Sequence, residues 1–168
     1  MNFFDNPVAN GSFGTIAFGA IAIVLIVAGF KYNVLRNKKT VFLVALAVLA
    51  VTVNSAGLFG GGAGAMRVGM NIAGEQAIEG LAGAKTPANP PTTHVTPVTA
   101  FGALLGICIL VWFGVKIYAA KGKPKDWKEM AGGTLIGISA GSGVGFLGIA
   151  LNSAVLISNN VGFWVFGG

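Results

Sequence analysis

Side chains able to do acid, base, nucleophilic or metal chemistry are few in this sequence. It has one Cys (Cys108), one His (His94) and five Asp or Glu among 168 residues. A single cysteine and a single histidine cannot build a disulfide framework or a Cys/His metal site. Cys108 stands midway along an apolar run, where a thiol stays protonated and acts as a small apolar filler. His94 stands in a Pro/Thr-rich stretch with no Cys or acid beside it, as a solvated loop residue would. Gly143, Gly145 and Gly148 spell G-x-G-x-x-G, but a dinucleotide fingerprint also needs a preceding strand, a helix start and an acid about 20 residues on. None of these accompanies it, and no phosphate-loop lysine motif occurs elsewhere. The expectation is a chain with no catalytic residue, no metal ligand and no cofactor, and not an enzyme.

The composition points instead to a bilayer. The chain is 54% hydrophobic and 10% charged, against about 25% charged in soluble domains, and its mean hydropathy is +0.78. A helix needs about 20 predominantly apolar residues to cross about 30 Å of hydrocarbon. Four stretches meet that length: residues 13–32, 41–59, 98–120 and 132–157. Lys116 lies near the end of the third, where its amine can snorkel to the interface, and Trp112 and Tyr118 suit the aromatic belt. After the fourth, Ser158, Asn159 and Asn160 precede an apolar tail with Phe163, Trp164 and Phe166, read either as an interfacial segment or as part of a single longer, tilted helix.

The basic residues orient these spans. Lys31, Arg36, Lys38 and Lys39 follow the first, and Lys116, Lys121, Lys123, Lys125 and Lys128 follow the third. Both turns therefore belong on one side, and the positive-inside rule makes it cytoplasmic, with both termini outside the cell membrane. The residues before the first span carry no basic group, so that span reads as an uncleaved anchor. The net charge of +6 would suggest nucleic acid on a soluble surface, but orienting the spans accounts for it, and no specific nucleic-acid binding is expected.

The predicted fold is all-α and integral to the membrane: a first hairpin over 1–59, an outer connection over 60–97, and a second hairpin over 98–168. The hairpins make a topological repeat, although their residues do not align convincingly. Gly60, Gly61 and Gly62 read as the breaker ending the second span. Beyond them Met66, Met70, Ala73, Ala77 and Leu81 recur at helical spacing, with Arg67, Asn71, Glu75 and Glu79 on the adjoining face. This predicts a short amphipathic helix lying on the membrane or on a neighbouring subunit, followed by an extended Pro/Thr linker.

Packing residues are the most distinctive feature. Gly133, Gly137, Gly141 and Gly145 fall at strict i+4 spacing, a glycine zipper that lets another backbone approach closely, within the chain or between copies. Gly102 and Gly106 offer a second small-residue face. Asn54 is the best intramembrane polar candidate, read as hydrogen-bonded to a neighbouring helix, with Asn152 and Ser153 judged likewise. No ionisable group falls near the centre of a span, which counts against ion-coupled carriers and voltage sensors. The lysine-rich turn at 121–128 orients the spans and offers contacts for anionic lipid or a cytosolic partner. Asn10, Gly11 and Ser12 form a glycosylation sequon close to the membrane.

The second hairpin, residues 97–157, resembles the conjugative pilins of type IV secretion systems. The resemblance rests on the apolar helix over 100–118, the short basic turn with Asp126, Trp127 and Lys128, and the glycine-rich helix over 132–151. It implies a non-enzymatic membrane subunit of a conjugation or secretion apparatus that self-associates or packs with other membrane subunits. The composition is also similar to that of phage holins, which implies the alternative of a pore-forming protein or small channel.

Overall fold

The computed structural model describes residues 13–53, 57–85, 98–141 and 145–167; Asn54, His94, the sequon at 10–12 and the linker over 86–97 lie outside them. The described residues form six helices and no strand: α1 (Phe13–Lys31), α2 (Lys38–Thr52), α3 (Gly57–Ala82), α4 (Ala100–Ala119), α5 (Trp127–Ala140) and α6 (Gly145–Phe166).

Helices α1 and α4 arise where the uninterrupted apolar runs predict them, and these two are long and apolar enough to cross a membrane. Only 22% and 17% of their apolar windows are buried, whereas a helix in the core of a soluble protein would be mostly covered. The other two expected spans take a different form. The second ends at Thr52, and 15 residues rise only about 22 Å. The fourth is two helices, α5 of 14 residues and α6 of 22, so the zipper spacing does not run along one helix. The apolar tail beyond Ile157 is helical and continues α6 to Phe166.

Local chemistry explains the boundaries. The Asn37 side chain caps α2 by accepting from the Thr40 N–H at 3.2 Å, and Thr99 caps α4 by accepting from the Gly102 N–H at 3.2 Å. Gly141 caps the C-terminus of α5, at the start of a glycine- and serine-dense stretch of low helix propensity. The run Gly60, Gly61 and Gly62, expected as a breaker, lies inside α3. Each helical glycine costs about 1 kcal/mol, and packing of α3 along α1 outweighs that local preference.

An internal duplication organises the six helices. Gly14 meets Asn71 and Gly74 where α1 crosses α3, and Gly102 meets Asn159 and Gly162 where α4 crosses α6. The pairs Gly14 and Gly102, Asn71 and Asn159, and Gly74 and Gly162 are each 88 residues apart (102 less 14, 159 less 71, 162 less 74). The same interval relates the first residues of α3 and α6, and the two non-glycine residues with positive φ, Asn33 (58°) and Lys121 (51°). It also relates the bonds closing α1 and α4, Val34 N–H to Gly29 O (2.8 Å) and Gly122 N–H to Ile117 O (2.9 Å). The main contacts between helices have counterparts: α1 on α3 and α4 on α6, α1 on α5 and α4 on α2, α2 on α6 and α5 on α3. The closest pairing, α2 with α5, is its own counterpart and holds the pseudo-twofold axis.

The hairpins expected from sequence are therefore interleaved. Sequence neighbours α4 and α5 leave a cleft between them lined by Phe113, Ile117, Trp127 and Met130, and each instead packs on α2. One apolar core joins Val44, Val48, Ala63, Met70, Phe113, Met130 and Ile138, and a second joins Leu49, Val98, Ala140, Leu151 and Val155.

Candidate functional site

Three sets of residues could carry function: the glycines, the basic end, and a buried arginine. The glycines are accounted for first. A Cβ on Gly133 would lie 2.6 Å from Val41 O and 2.9 Å from Val44 Cβ, and one on Gly137 would lie 2.7 Å from Ala45 O. Both glycines thus seat α5 directly on the α2 backbone. Gly106 seats α4 on α2, with Ala50 Cβ at 2.9 Å and Ala47 O at 3.0 Å, and Gly102 faces Asn159 of α6. Gly141 faces the Arg67 guanidinium, and Gly145 is the first residue of α6. These glycine faces, except that of Gly145, are occupied by the chain itself, which leaves no common ridge for a second copy.

The eight basic residues Lys31, Arg36, Lys38, Lys39, Lys121, Lys123, Lys125 and Lys128 are all exposed, on the two turns. The turns meet at one end of the bundle because two acids bridge them. Glu129 Oε1 accepts from the N–H of Arg36 at 2.8 Å and of Asn37 at 3.3 Å, and Asp126 Oδ2 accepts from the Thr40 hydroxyl at 2.9 Å. Lys116 Nζ completes the cluster, 2.5 Å from Asp126 Oδ2 and 5.8 Å from the centre of the Phe113 ring.

Both acids are buried and both are held below the ordinary carboxylate range. For Asp126 the main cause is the hydrogen bond from Lys116, assisted by Thr40 and outweighing burial. For Glu129 burial acts upward and is the largest single effect, but the N–H groups of Arg36, Glu129 and Asn37 together outweigh it. The carboxylate also lies where the backbone leads into α2, at the positive end of that helix dipole.

At the opposite end Arg67 is 2% exposed. Its Nε donates to Ile138 O at 3.1 Å and its Nη2 to Thr52 O at 3.0 Å, so one guanidinium joins the carbonyl ends of α5 and α2. Gly141 leaves the room that the guanidinium occupies. The sequence pattern sets Arg67 on the polar face of an amphipathic helix, adjoining its apolar stripe; the structure turns Arg67 into the protein. Helical spacing finds a polar face but carries no sign of backbone carbonyls from two distant helix ends. Asp126 and Glu129 were also missed, although Asp-x-x-Glu at a helix start is a recognisable signal.

Polar bonds hold the α4–α6 crossing, whereas the matching asparagine of the first repeat bonds within its own helix. Asn159 Oδ1 accepts from the Thr99 N–H at 2.9 Å and the Thr99 hydroxyl at 3.0 Å, while the Ser158 hydroxyl donates to Gly102 O at 3.1 Å. In the other repeat, the Asn71 amide donates to Glu75 Oε1 at 3.0 Å. Ser153, weighed as an intramembrane polar group, donates to Ile149 O one turn earlier in its own helix. Cys108 lies on the exposed side of α4.

No family model matches the chain, and no curated protein or solved structure gives a significant match.

Proposed function

We propose that the chain is a non-enzymatic, multi-pass membrane protein of the cell membrane. In this reading it is a structural subunit of a larger membrane assembly, with both termini outside and both basic turns in the cytosol. The observation that carries the reading is the pair α1 and α4. They are apolar, outward-facing helices of membrane-crossing length on a bundle whose eight turn cations gather at one end. Val24, Leu25 and Val27 on α1 and Val111, Trp112 and Val115 on α4 stand in the open, a surface that water would penalise and acyl chains would not. The order of apolar helix, basic turn and glycine-bearing helix in α4 and α5 supports a conjugation or secretion apparatus as the setting, by its resemblance to the pilin plan. Assembly then uses faces other than those of Gly102, Gly106, Gly133 and Gly137, which the chain fills itself.

Reporter fusions test the topology. Alkaline phosphatase joined after Lys85 is expected to be active and joined after Lys123 inactive, with a green fluorescent protein fusion giving the reverse. The opposite pattern, or both sites on one side, overturns it. Native mass measurement of protein extracted from its own membranes tests the assembly, which is expected to exceed one 17.0 kDa chain. A single chain as the only species overturns the subunit role.

A further inference from the structure

Helix α3 is inside out for a helix lying in water. Between Phe59 and Ala73 its exposed residues are Phe59, Gly62, Ala65, Met66, Val68, Gly69, Ile72 and Ala73, without one polar side chain among them. The one charge in that stretch, Arg67, points into the protein. Polar exposed residues return only beyond Gly74, at Gln76 and Glu79. Helix α6 shows a related face: Leu156, Ile157, Phe163 and Trp164 point outward, with Ser153 and Asn160 the polar residues exposed among them, while Ser158 is fully buried against Gly102 O.

Depth within the bundle agrees with this sidedness. Starting from the basic end, α2 rises about 22 Å and α1, with 19 residues, covers about 28 Å. Arg67 rests on the end of α2, and Gly74 rests against Gly14 at the far end of α1. The segment of α3 between them therefore lies within the depth that α1 crosses, beyond the ends of the two short central helices. Its outward apolar surface continues that of α1, on which it packs.

We propose that α3 over 59–73 and α6 over 149–166 are embedded in the bilayer, their outward faces covered by lipid acyl chains. Each repeat is then a three-helix membrane unit, not a hairpin with a surface helix. This rests on the membrane reading above. In hydrocarbon an outward charge is expelled and an inward one must find partners. Arg67 turns inward and donates from Nε and Nη2 to two carbonyl ends that α2 and α5 cannot satisfy within themselves, while its Nη1 is buried without a partner among the described residues.

Spin-label accessibility in liposomes tests the proposal. In a Cys108→Ser background, single cysteines replace Met66, Ile72 and Leu156, all outward, with Leu25 on α1 and Leu81 at the exposed end of α3 as references. Each variant is nitroxide-labelled, and power saturation compares collision with oxygen and with a water-soluble nickel chelate. Labels at Met66, Ile72 and Leu156 are expected to favour oxygen as Leu25 does, with Leu81 reversed. Nickel preference at Met66, Ile72 and Leu156 with oxygen preference at Leu25 overturns the embedding alone. Nickel preference at Leu25 as well overturns both the embedding and the membrane reading on which it rests.

Discussion

Replacing Gly137 with alanine adds one methyl group to the contact between α5 and α2, and the geometry sets what it must do. The new Cβ would lie 2.7 Å from Ala45 O, 2.9 Å from Val48 Cβ and 3.0 Å from Val48 Cγ1. Ordinary contact begins near 3.4 Å, so the two helices must part by several tenths of an ångström, away from the pseudo-twofold axis between them. Overpacking of this kind costs about 1–3 kcal/mol, less at most about 1 kcal/mol regained from the helix propensity of alanine over glycine. Gly114→Ala on α4 is the matched control, since nothing lies within 4 Å of its Cβ position and only the propensity gain applies. With 1 kcal/mol worth about 2–4 °C at this chain size, Gly137→Ala is expected to lower Tm by up to roughly 8 °C and Gly114→Ala to leave it level or raise it. Thermal unfolding in detergent, followed by circular dichroism and by size-exclusion fluorescence, measures both. Equal shifts for the two variants would refute the assignment. An unchanged Tm for Gly137→Ala together with a smaller particle would show that this glycine packs between copies.

Three other outcomes follow from the same geometry. Asp126 and Glu129 have folded-state pKa values below their unfolded ones, so their contribution is complete above the ordinary carboxylate range and is lost as pH falls through the folded values. Unfolding measured from pH 7 down to about pH 3 should show stability declining through the acidic range, with a shallower decline in Asp126→Asn; a profile unchanged by that variant refutes the coupling. Gly141→Ala should destabilise the chain while Arg67 is present and much less in an Arg67→Ala background, a coupling of about 0.5–3 kcal/mol in a double-mutant cycle; additive effects would show that the two do not meet. Asn159→Ala removes the acceptor of two hydrogen bonds from Thr99 and is expected to cost about 1–3 kcal/mol, read as a lower Tm, and no change would remove that joint from the account.

The sequence made α1 and α4 legible because an uncharged run of about 20 residues has few other uses. It concealed the length of α2, because apolar character persists past Thr52 to Phe59 while the helix does not. Hydropathy reports burial or lipid exposure and is blind to where backbone hydrogen bonding stops. For the same reason α5 and α6 read as one span. The duplication was hidden because, over residues 13–80 and 101–168, only nine of 68 pairs are identical. Three of the nine, Gly14 with Gly102, Asn71 with Asn159 and Gly74 with Gly162, lie at crossings, and their role is visible only when two backbones are seen to meet. The basic turns are legible as charge, but the buried acids that join them are not, since two acids among nine cations change the count very little.

The charges that break the twofold symmetry explain how the two repeats hold each other. Residues 88 apart carry Arg67 against Val155, Lys38 against Asp126 and Val41 against Glu129, so the buried cation belongs only to the first repeat and the buried anions only to the second. At the basic end, Glu129 of the second repeat accepts from the backbone leading into α2 of the first. At the far end, Arg67 of the first repeat donates to the end of α5 in the second, and to α2 as well. Helices α2 and α5 run in the same direction, because both start at the joined basic turns, so their dipoles align side by side and repel. A carboxylate at the shared positive end and a guanidinium at the shared negative end offset that repulsion. Two identical repeats would bury charge in symmetric pairs, each group beside its like; the departure from symmetry lets one anion cluster and one cation serve both helices. Glycines at Gly133 and Gly137 belong to the same arrangement, since they bring the two parallel helices close enough for a single guanidinium to reach both ends.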